Sequence, residues 1–501
     1  MKKNILILLL TMLLSGVLFS ATWTVDKENT APWGAPDVGS FEWATLNAVS
    51  GDLINFSVAG NFKVKSGSFS ITAPNVTIDG TTAPGYTCGE PSVRLENKDN
   101  FGDFILSGNG TIMKGIIVSG ISFDIAGDNI EVYGCWFNLN LAGTGVTAGE
   151  GNYVVQIKGS NNVFGGVGCA ERNIVANSDN ARRGLIVASG AGNLIVGNYF
   201  GTDKTGEVGL GTFYEGIEFK SASNTLDQNV IGSAKGWANA NGIQVDANNI
   251  TMTNNYIGVS IGGINIGNRF AGVYLTKDNA IFTGNILGFN GYAGGPVSHG
   301  LGTNNSSGHT ISNNYFGVMP DGSDVGNAQS GIEIFAGGNV TISNNIIGFS
   351  KHSRPGSDNG GGIAIVNGAS NVTIEGNQIG AFNGATTGND NDGIVIEKSN
   401  NITIINNIIA NNGGWAVALR PDGSGGGNST GINIQENSIF CNTSGGIKFT
   451  KSLDNGTIQG LGTPTVNSTS SGSRPTDISG ATWIFRGDAP AGTSLDIYAM
   501  G

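Results

Sequence analysis

The 501-residue chain has few charged residues, few prolines and only 3 histidines, and these shortages exclude several classes of protein. Only 12% of its residues are charged, and no basic cluster is present, so the sequence does not indicate nucleic-acid binding. Its 83 glycines occur with only 12 prolines and follow no three-residue period, which excludes collagen. EF-hand and RTX calcium repeats are absent, and we predict no metal site and no cofactor.

The N-terminus has the pattern of a secretory signal peptide. Two lysines precede an apolar run from Ile5 to Leu14, and small residues follow at Ser20 and Ala21. We predict a signal peptide over residues 1–21, cleaved after Ser20 or Ala21. The alternative, an uncleaved membrane anchor, requires a longer apolar run. No later segment is apolar enough to span a bilayer, so we predict a protein that is secreted or held at the bacterial cell surface.

The chain has too few cysteines for a dense disulfide framework, although they fit an oxidising compartment. They are Cys88, Cys135, Cys169 and Cys441. In a solenoid, Cys441 would lie on the order of 40 Å from Cys169, because successive coils are about 4.8 Å apart. That distance is far too great for a disulfide. We therefore predict at most one disulfide, between two of the first three cysteines; the alternative is that these are buried free thiols.

A polar corner that contains asparagine is repeated down most of the chain, most clearly between Asn339 and Gly348. The corner asparagines recur at intervals of 26 to 32 residues: Asn198, Asn229, Asn255, Asn285, Asn314, Asn345, Asn377, Asn407 and Asn437. A glycine before an apolar alternation keeps the same period: Gly216, Gly242, Gly272, Gly331, Gly362, Gly393 and Gly446. Two independent markers with one period predict a β-solenoid.

The period indicates how the coils are built. Each coil of about 30 residues should supply three short strands that pair in parallel with their copies in the next coil. The corner asparagines should stack as a ladder, each side-chain amide donating to the next side-chain carbonyl. Asparagine also tolerates the left-handed backbone that a sharp corner requires. Alternate residues such as Ile342 and Ile347 should point inward and form aliphatic columns.

Both ends of the chain depart from the repeat. Phe41–Val49 predicts a short amphipathic helix, and Leu53–Val58 and Phe62–Lys65 predict strands. Because the open end of a solenoid exposes unpaired backbone, we interpret this segment as a cap. Two strand patterns near the C-terminus are too few for a stable domain, which indicates a truncated β module. The predicted boundaries are a signal peptide at 1–21, an N-terminal cap at 22–75, a parallel β-helix at 76–458, and a linker with the start of a β module at 459–501.

The chain resembles bacterial secreted and surface proteins with right-handed parallel β-helix repeats, in the pectin-lyase-like superfamily. It is similar in particular to surface proteins with a CSLREA-type N-terminal segment, because Ile78–Tyr86, Asn198–Asp203 and Gly487–Pro490 match their form. Gly39–Ala44 lies where the CSLREA-type segment belongs but departs from its motif. The resemblance implies an all-β fold, a right-handed parallel β-helix. It does not imply one function, because the family contains both enzymes and adhesins.

Enzyme motifs of that superfamily are incomplete in this sequence. Asp390 and Asp392 resemble the first motif of polygalacturonases, but the next coil lacks the expected aspartate pair. The three histidines, His299, His309 and His352, all precede Asp390, which is the wrong order. The Asp-Pro-His-Glu motif of alginate epimerases does not occur. Two interpretations of Asp390 and Asp392 remain: an acid–base pair or a polar turn before a strand.

Polar residues recur two and four positions after the landmark glycines. They are Glu218, Lys220, Gln244, Asp246 and Tyr274, on successive coils. Stacking predicts that Lys220 lies beside Asp246. Lyase chemistry would use a basic residue as the proton acceptor and a charge that stabilises the sugar carboxylate. The alternative is a solvated strand face with a cross-strand ion pair.

From Asn198 to Asn314, a tyrosine follows every second ladder asparagine and precedes a glycine-rich loop. Tyr199, Tyr256 and Tyr315 could form an outward stripe that stacks on sugar rings, or could anchor their own loops. We predict a monomeric, non-catalytic, adhesin-like protein that presents a rigid face to polysaccharide or to another extracellular surface ligand. The alternative is a polysaccharide lyase or glycoside hydrolase. The candidate ligand-binding residues are Tyr199, Tyr256, Tyr315, Glu218, Lys220, Asp246 and Tyr274.

Overall fold

The computed structural model describes most of the chain between Ser20 and Phe449. The described residues are 20–30, 36–64, 68–97, 102–147, 152–176, 182–211, 214–236, 240–292, 298–351, 361–382, 385–420 and 429–449. Most of the predicted signal peptide and all of residues 459–501 lie outside them. The chain divides into two compact units: unit 1 is Met1–Thr205 with Leu210–Phe213, and unit 2 is Gly206–Gly209 with Tyr214–Gly501.

In unit 1 the described strands form three parallel sheets, named A, B and C in the order in which each coil visits them. Sheet A contains Thr22–Val25, Leu53–Phe56, Thr77–Asp79, Ile112–Lys114, Glu131–Tyr133, Val163–Phe164 and Leu194–Val196. Sheet B contains Gly60–Val64, Val93–Asn97, Ile116–Ser119, Trp136–Phe137, Ile174–Val175 and Tyr199–Phe200. Sheet C contains Phe69–Ile71, Asp103–Leu106, Ser122–Ile125, Tyr153–Ile157 and Arg183–Val187.

Unit 2 repeats the same three-sheet arrangement. Its sheet A contains Thr225–Asp227, Thr251–Thr253, Ile281–Thr283, Thr310–Ser312, Gly338–Ser343, Ser370–Glu375, Asn400–Ile405 and Thr430–Gln435. Its sheet B contains Val230–Ile231, Tyr256–Ile257, Ile286–Leu287, Tyr315–Phe316, Ile346–Ile347, Gln378–Ile379, Ile408–Ala410 and Ser438–Phe440. Its sheet C contains Ile217–Phe219, Ile243–Val245, Val273–Leu275, Leu301–Thr303, Ile332–Phe335, Ile363–Val366, Ile394–Glu397, Trp415–Arg420 and Gly445–Phe449. A short antiparallel pair joins Ala381–Phe382 to Ala385–Thr386.

The parallel solenoid predicted from the sequence is confirmed, with about 30 residues per turn and about 12 turns. Like residues stack in register, as in the sheet A column in which Ile311, Ile342 and Ile374 pair in turn. These isoleucines are fully buried, and burial of each such side chain stabilises the fold by about 1.5–3 kcal/mol. The stacked columns fix the register, because a slip of one residue would turn each column toward solvent.

The predicted asparagine ladder is present at the corner between sheets A and B. In unit 2, Nδ2 of Asn314 donates to Oδ1 of Asn345 and Nδ2 of Asn345 donates to Oδ1 of Asn377, each at 2.9 Å. The same side-chain bond joins each described member from Asn229 to Asn437 to the next. The ladder asparagines are buried, so the amides stabilise the corner without water.

One detail of the ladder prediction is wrong. The left-handed backbone belongs to the residue before each ladder asparagine, such as Asn313 with φ 57° and Asn344 with φ 55°. The ladder asparagine directs its own backbone N–H at the next side-chain carbonyl, as Asn345 does toward Asn377 at 2.8 Å. The chain therefore turns one residue earlier, at a position that asparagine or glycine occupies with little strain.

A second asparagine ladder, which the sequence analysis missed, lies between sheets B and C of unit 2. Nδ2 of Asn268 donates to Asn290 at 2.8 Å, and Nδ2 of Asn290 donates to Asn327 at 3.0 Å. Nδ2 of Asn389 likewise donates to Asn412 at 2.8 Å. Loops of different length separate these residues, with spacings between 22 and 37, which hides the period in the sequence.

The N-terminal segment contains the predicted helix, at Phe41–Asn47. Ser40 caps it, since its hydroxyl accepts from the Trp43 N–H at 3.3 Å. The Phe41 ring packs 6.0 Å from that of Phe56. Parallel pairing begins before the predicted start of the coils at residue 76, because Thr22–Val25 already pairs with Leu53–Phe56. The role of the helix as a cap stays a prediction.

The cysteines of the described chain agree with the prediction of at most one disulfide. Cys88 and Cys169 are bonded, with their Cα atoms 5.6 Å apart. Cys135 is a buried free thiol, and Cys441 is free and exposed. The bond closes a loop of 81 residues in unit 1, which restricts the unfolded chain.

His309 makes the stability of unit 2 depend on pH. Burial lowers the pKa of His309 to about 4, and its Nδ1 accepts the Ala280 N–H at 3.2 Å, which requires a neutral ring. The unfolded chain binds this proton near pH 6.5. We expect the His309 contribution, on the order of 3 kcal/mol, to be complete above pH 6.5 and to be lost as the pH falls toward 4.

Denaturant unfolding of the wild type and of His309→Gln between pH 7 and 4 measures this effect. Other acidic groups titrate equally in both proteins, so the difference between the two curves isolates His309. We expect the free energy of unfolding of the wild type to fall more steeply on acidification. Parallel curves would show that His309 is not held neutral.

Candidate functional site

The outward face of sheet C in unit 2, here called the sheet C face, collects the polar residues that the sequence analysis selected. Its inner positions, such as Ile217 and Phe219, are fully buried in the core. Between them the strand register aligns one outward position on successive coils, and the row reads Glu218, Gln244, Tyr274, Gly302 and Glu333. The solenoid repeat thus brings residues that are about 30 positions apart in sequence onto one face.

The cross-strand ion pair between Lys220 and Asp246, which belonged to the alternative interpretation of this face, is not formed. Nζ of Lys220 lies 3.2 Å from the Glu218 carboxylate on its own coil. Asp246 instead accepts hydrogen bonds from Gln244 Nε2 at 2.7 Å and from Thr276 Oγ1 at 2.6 Å. A lysine two residues after a glutamate reaches it along the same face of the strand, and this local contact replaces the cross-strand pair.

Asp246 is the fixed acceptor of the sheet C face. Nδ2 of Asn241 donates to Gln244 Oε1 at 3.0 Å, and Nε2 of Gln244 in turn donates to Asp246. Thr276 holds the same carboxylate oxygen from the next coil. With two donors on one oxygen, the carboxylate has a defined orientation while it remains partly exposed.

Tyr274 supplies the aromatic ring of this face. The position of a Cβ on Gly302 would lie 3.4 Å from Tyr274 Cδ2 and 3.5 Å from His299 Cδ2, so both rings flank that glycine. Burial, followed by the negative charges of Glu333 and Asp246, raises the pKa of Tyr274, against a lowering by Asn304. The hydroxyl is protonated at neutral pH, as in an ordinary tyrosine, and can donate a hydrogen bond.

His299 and Glu333 are site residues that the sequence analysis did not select. His299 Nε2 lies 3.2 Å from Glu333 Oε1, and both side chains are buried. Gly300 follows His299 and has the spacing of a landmark glycine, between Gly272 and Gly331. If Gly300 had been included among the landmark glycines, the sequence would have placed His299 just before a sheet C strand.

The three tyrosines after the ladder pack against protein rather than forming an open stripe. In unit 1, Tyr199 is buried and the Arg172 guanidinium lies 4.2 Å from the centre of its ring. In unit 2, Tyr256 and Tyr315 pack against a cluster formed by Val259, Ile286, Met319 and Val325. These contacts favour the loop-anchoring interpretation over sugar stacking.

The contacts of Asp392 support the interpretation of this segment as a polar turn. Its Oδ1 accepts the Trp415 N–H at 2.6 Å, and its Oδ2 contacts Arg420 Nη2 at 2.5 Å. The carboxylate is buried and neutralised by the arginine, so these contacts explain it without chemistry. Asp390, the other member of the sequence pair, has an exposed side chain.

No group of three or more His, Cys, Asp and Glu residues is placed to hold a metal ion in the described ranges. Within that same part of the chain, no helix has the length and apolar character needed to cross a bilayer.

No protein-family profile and no curated protein matches the chain. Among solved structures, it is similar to the periplasmic alginate epimerase AlgG, at 11% identity over 80% of this chain and 82% of that one, with a TM-score of 0.43. A mannuronic acid specific polysaccharide family 6 lyase from the human gut microbiota gives 11% identity, 88% and 90% coverage, and a TM-score of 0.43. The Dettilon tailspike protein gives 14% identity, 85% and 68% coverage, and a TM-score of 0.40. At these scores the likenesses carry no argument about activity.

Proposed function

We propose that this chain is an exported β-helix protein that binds carbohydrate through the sheet C face of unit 2. The observation that carries the proposal is the fixed Asp246 carboxylate beside the half-buried Tyr274 ring, whose hydroxyl stays protonated. Sugar recognition requires an aromatic surface next to preoriented donors and acceptors. The proposal includes export by residues 1–21, a right-handed sense of the coils, and a capping role for Phe41–Asn47.

The charges on this face favour a neutral glycan over a polyuronate. Glu218, Asp246 and Glu333 are acidic, whereas Lys220 is basic and is paired with Glu218. The whole chain is also acidic, with a formal net charge of −12. A polyuronate would therefore be repelled at low ionic strength, and a hydroxyl-rich neutral chain would not.

A panel of polysaccharides tests both parts of the proposal. Xylan, glucomannan, alginate and polygalacturonate are titrated against the full chain, with binding followed by affinity electrophoresis and calorimetry. We expect a neutral glycan to bind at least tenfold more tightly than either polyuronate in 20 mM salt, with a smaller difference in 500 mM salt, because salt screens the repulsion. Asp246→Asn should also reduce the discrimination against polyuronates.

The outcomes separate the two claims. Equal or tighter binding of alginate or polygalacturonate would contradict the charge argument but leave carbohydrate binding intact. Binding of none of the glycans would contradict the proposed function itself.

A second candidate function, hydrolysis or lysis of a polysaccharide, is favoured by the 3.2 Å contact between His299 and Glu333 beside Tyr274. A carboxylate next to an imidazole is a common acid–base arrangement. Both side chains are buried, however, so a substrate could contact Tyr274 but not the imidazole. Release of reducing or unsaturated ends that is lost in His299→Gln would favour this second function over simple binding.

A further inference from the structure

Unit 1 has its own polar cluster on the outward side of sheet C. Strand register aligns Asp103 with Ser122 and Asp124 with Gln156. Tyr153 begins the strand that contains Gln156. None of these residues belongs to the sheet C face of unit 2, and the sequence analysis selected none of them.

Asp124 is the centre of this cluster. Its side chain is only 3% exposed, and its Oδ2 lies 2.5 Å from Lys158 Nζ. The other oxygen, Oδ1, is buried and has no hydrogen-bond partner among the described residues. A buried carboxylate oxygen without a donor is costly, and a ligand hydroxyl would satisfy it. Lys158 is 43% exposed, so its ammonium group is accessible and can donate to the same ligand.

Arg182 binds the backbone of Tyr153, the first residue of its strand. Its Nε and Nη2 donate to the Tyr153 carbonyl at 3.1 and 2.8 Å, and Nη2 also donates to Ser122 Oγ at 3.2 Å. The guanidinium is buried, so these bonds are not exposed to competition from water. The backbone at Tyr153 is therefore held in place in the absence of a ligand.

Tyr153 lies close to the acidic groups of the cluster. Burial, the charge of Asp124 and the approach of its carboxylate to the hydroxyl raise the pKa of Tyr153. Burial and the charge of Asp124 also raise the pKa of Asp103, against a lowering by Lys158 and Arg182. The cluster thus places two acidic groups near the Tyr153 hydroxyl, with Lys158 paired to one of them.

Similar residue types occur on sheet C of unit 2, although the lysine follows the glutamine in unit 1 and follows the acid in unit 2. Asp124 aligns with Gln156, as Glu218 aligns with Gln244. Lys158 stands two positions after Gln156, and Lys220 stands two positions after Glu218. An acid, a glutamine, a lysine and a tyrosine thus lie on sheet C in each unit, and such a set suits the same class of ligand.

We propose that the cluster around Asp124 and Tyr153 is a second carbohydrate site, for a neutral, hydroxyl-rich sugar. Sugar hydroxyls donate to the carboxylates and accept from Tyr153 and Lys158, while the tyrosine ring covers an apolar face of the sugar. The choice of carbohydrate as the ligand class rests on the function proposed for unit 2.

Calorimetric titration of the full chain with xylohexaose and with mannohexaose, in parallel, tests this site. With the oligosaccharide that binds, we expect two molecules bound per chain. Tyr153→Phe should weaken one of the two sites at least tenfold, and Tyr274→Ala should remove the other. Tyr133→Phe is the matched control in unit 1, because the Tyr133 hydroxyl is already bonded to Glu131 at 2.8 Å; two bound molecules should remain.

The results distinguish this inference from the function on which it rests. One bound molecule, lost in Tyr274→Ala and unaffected by Tyr153→Phe, would overturn the second site and leave the proposed function in place. No binding of either oligosaccharide or of the polysaccharide panel would overturn both. Lys158→Ala, a change at an exposed side chain, provides a second variant if Tyr153→Phe fails to fold, and it should also weaken one site.

Discussion

Replacement of Asn345 by alanine is expected to lower the free energy of unfolding of unit 2 by about 4 kcal/mol. Asn345 accepts from the backbone N–H and the Nδ2 of Asn314, and it donates to Ile311 O and to Asn377 Oδ1. All of these groups are buried, and each buried polar group left without a partner costs about 1–3 kcal/mol. Some relaxation of the corner will offset part of that loss.

The neighbouring residue is the matched control for this prediction. Asn344 is exposed and has φ 55°, so Asn344→Gly should change the free energy of unfolding only slightly. Asn344→Val should destabilise the protein by about 1–2 kcal/mol, because a β-branched residue is strained in that conformation. Denaturant titrations followed by circular dichroism measure all three variants. An Asn345→Ala protein as stable as Asn344→Gly would contradict the ladder account.

Replacement of Tyr274 by alanine is expected to weaken binding of the preferred neutral glycan at least tenfold, which is about 1.4 kcal/mol. The change removes the aromatic surface and a hydroxyl whose pKa is raised by burial and by two nearby acidic groups. Tyr274→Phe should have a smaller effect, since it removes one hydrogen bond and keeps the ring. Calorimetry with the isolated variants gives both values.

Tyr256→Phe is the control for the hydroxyl. Tyr256 is also half-buried in unit 2, but it packs against Val259 and Met319 beside a loop. Its hydroxyl should not contribute to glycan binding. If Tyr256→Phe weakened binding as much as Tyr274→Phe, the ligand would contact the loops beside sheet B rather than the sheet C face.

The repeat made much of the fold predictable, because the same residue pattern recurs in each coil. The period predicts the ladder asparagines, the aliphatic columns and the strands around Ile332 and Ile342. Because it is repeated many times, an irregular coil does not obscure it. The left-handed position was misplaced by one residue, because Asn344 and Asn345 are adjacent and only backbone geometry separates their roles. The second ladder was missed because loops of variable length interrupt its spacing.

The candidate site was less predictable than the fold. The face that carries Glu218, Asp246 and Tyr274 follows from alternation along a strand, but side-chain partners do not. Lys220 can reach either Glu218 or Asp246, and only the side-chain conformation decides between them. His299 and Glu333 are 34 residues apart in sequence, and their contact depends on how adjacent coils stack.

Lysine acetylation footprinting tests most directly whether the sheet C face of unit 2 binds carbohydrate. Lys220 and Lys351 are closely matched in unit 2: their side chains are 47% and 41% exposed, and each is ion-paired, with Glu218 and Asp324 respectively. Lys220 lies on the sheet C face, whereas Lys351 follows a strand of sheet B. With a saturating neutral glycan, the account predicts slower acetylation of Lys220 and an unchanged rate at Lys351. An unchanged rate at Lys220 in the presence of bound glycan would contradict it.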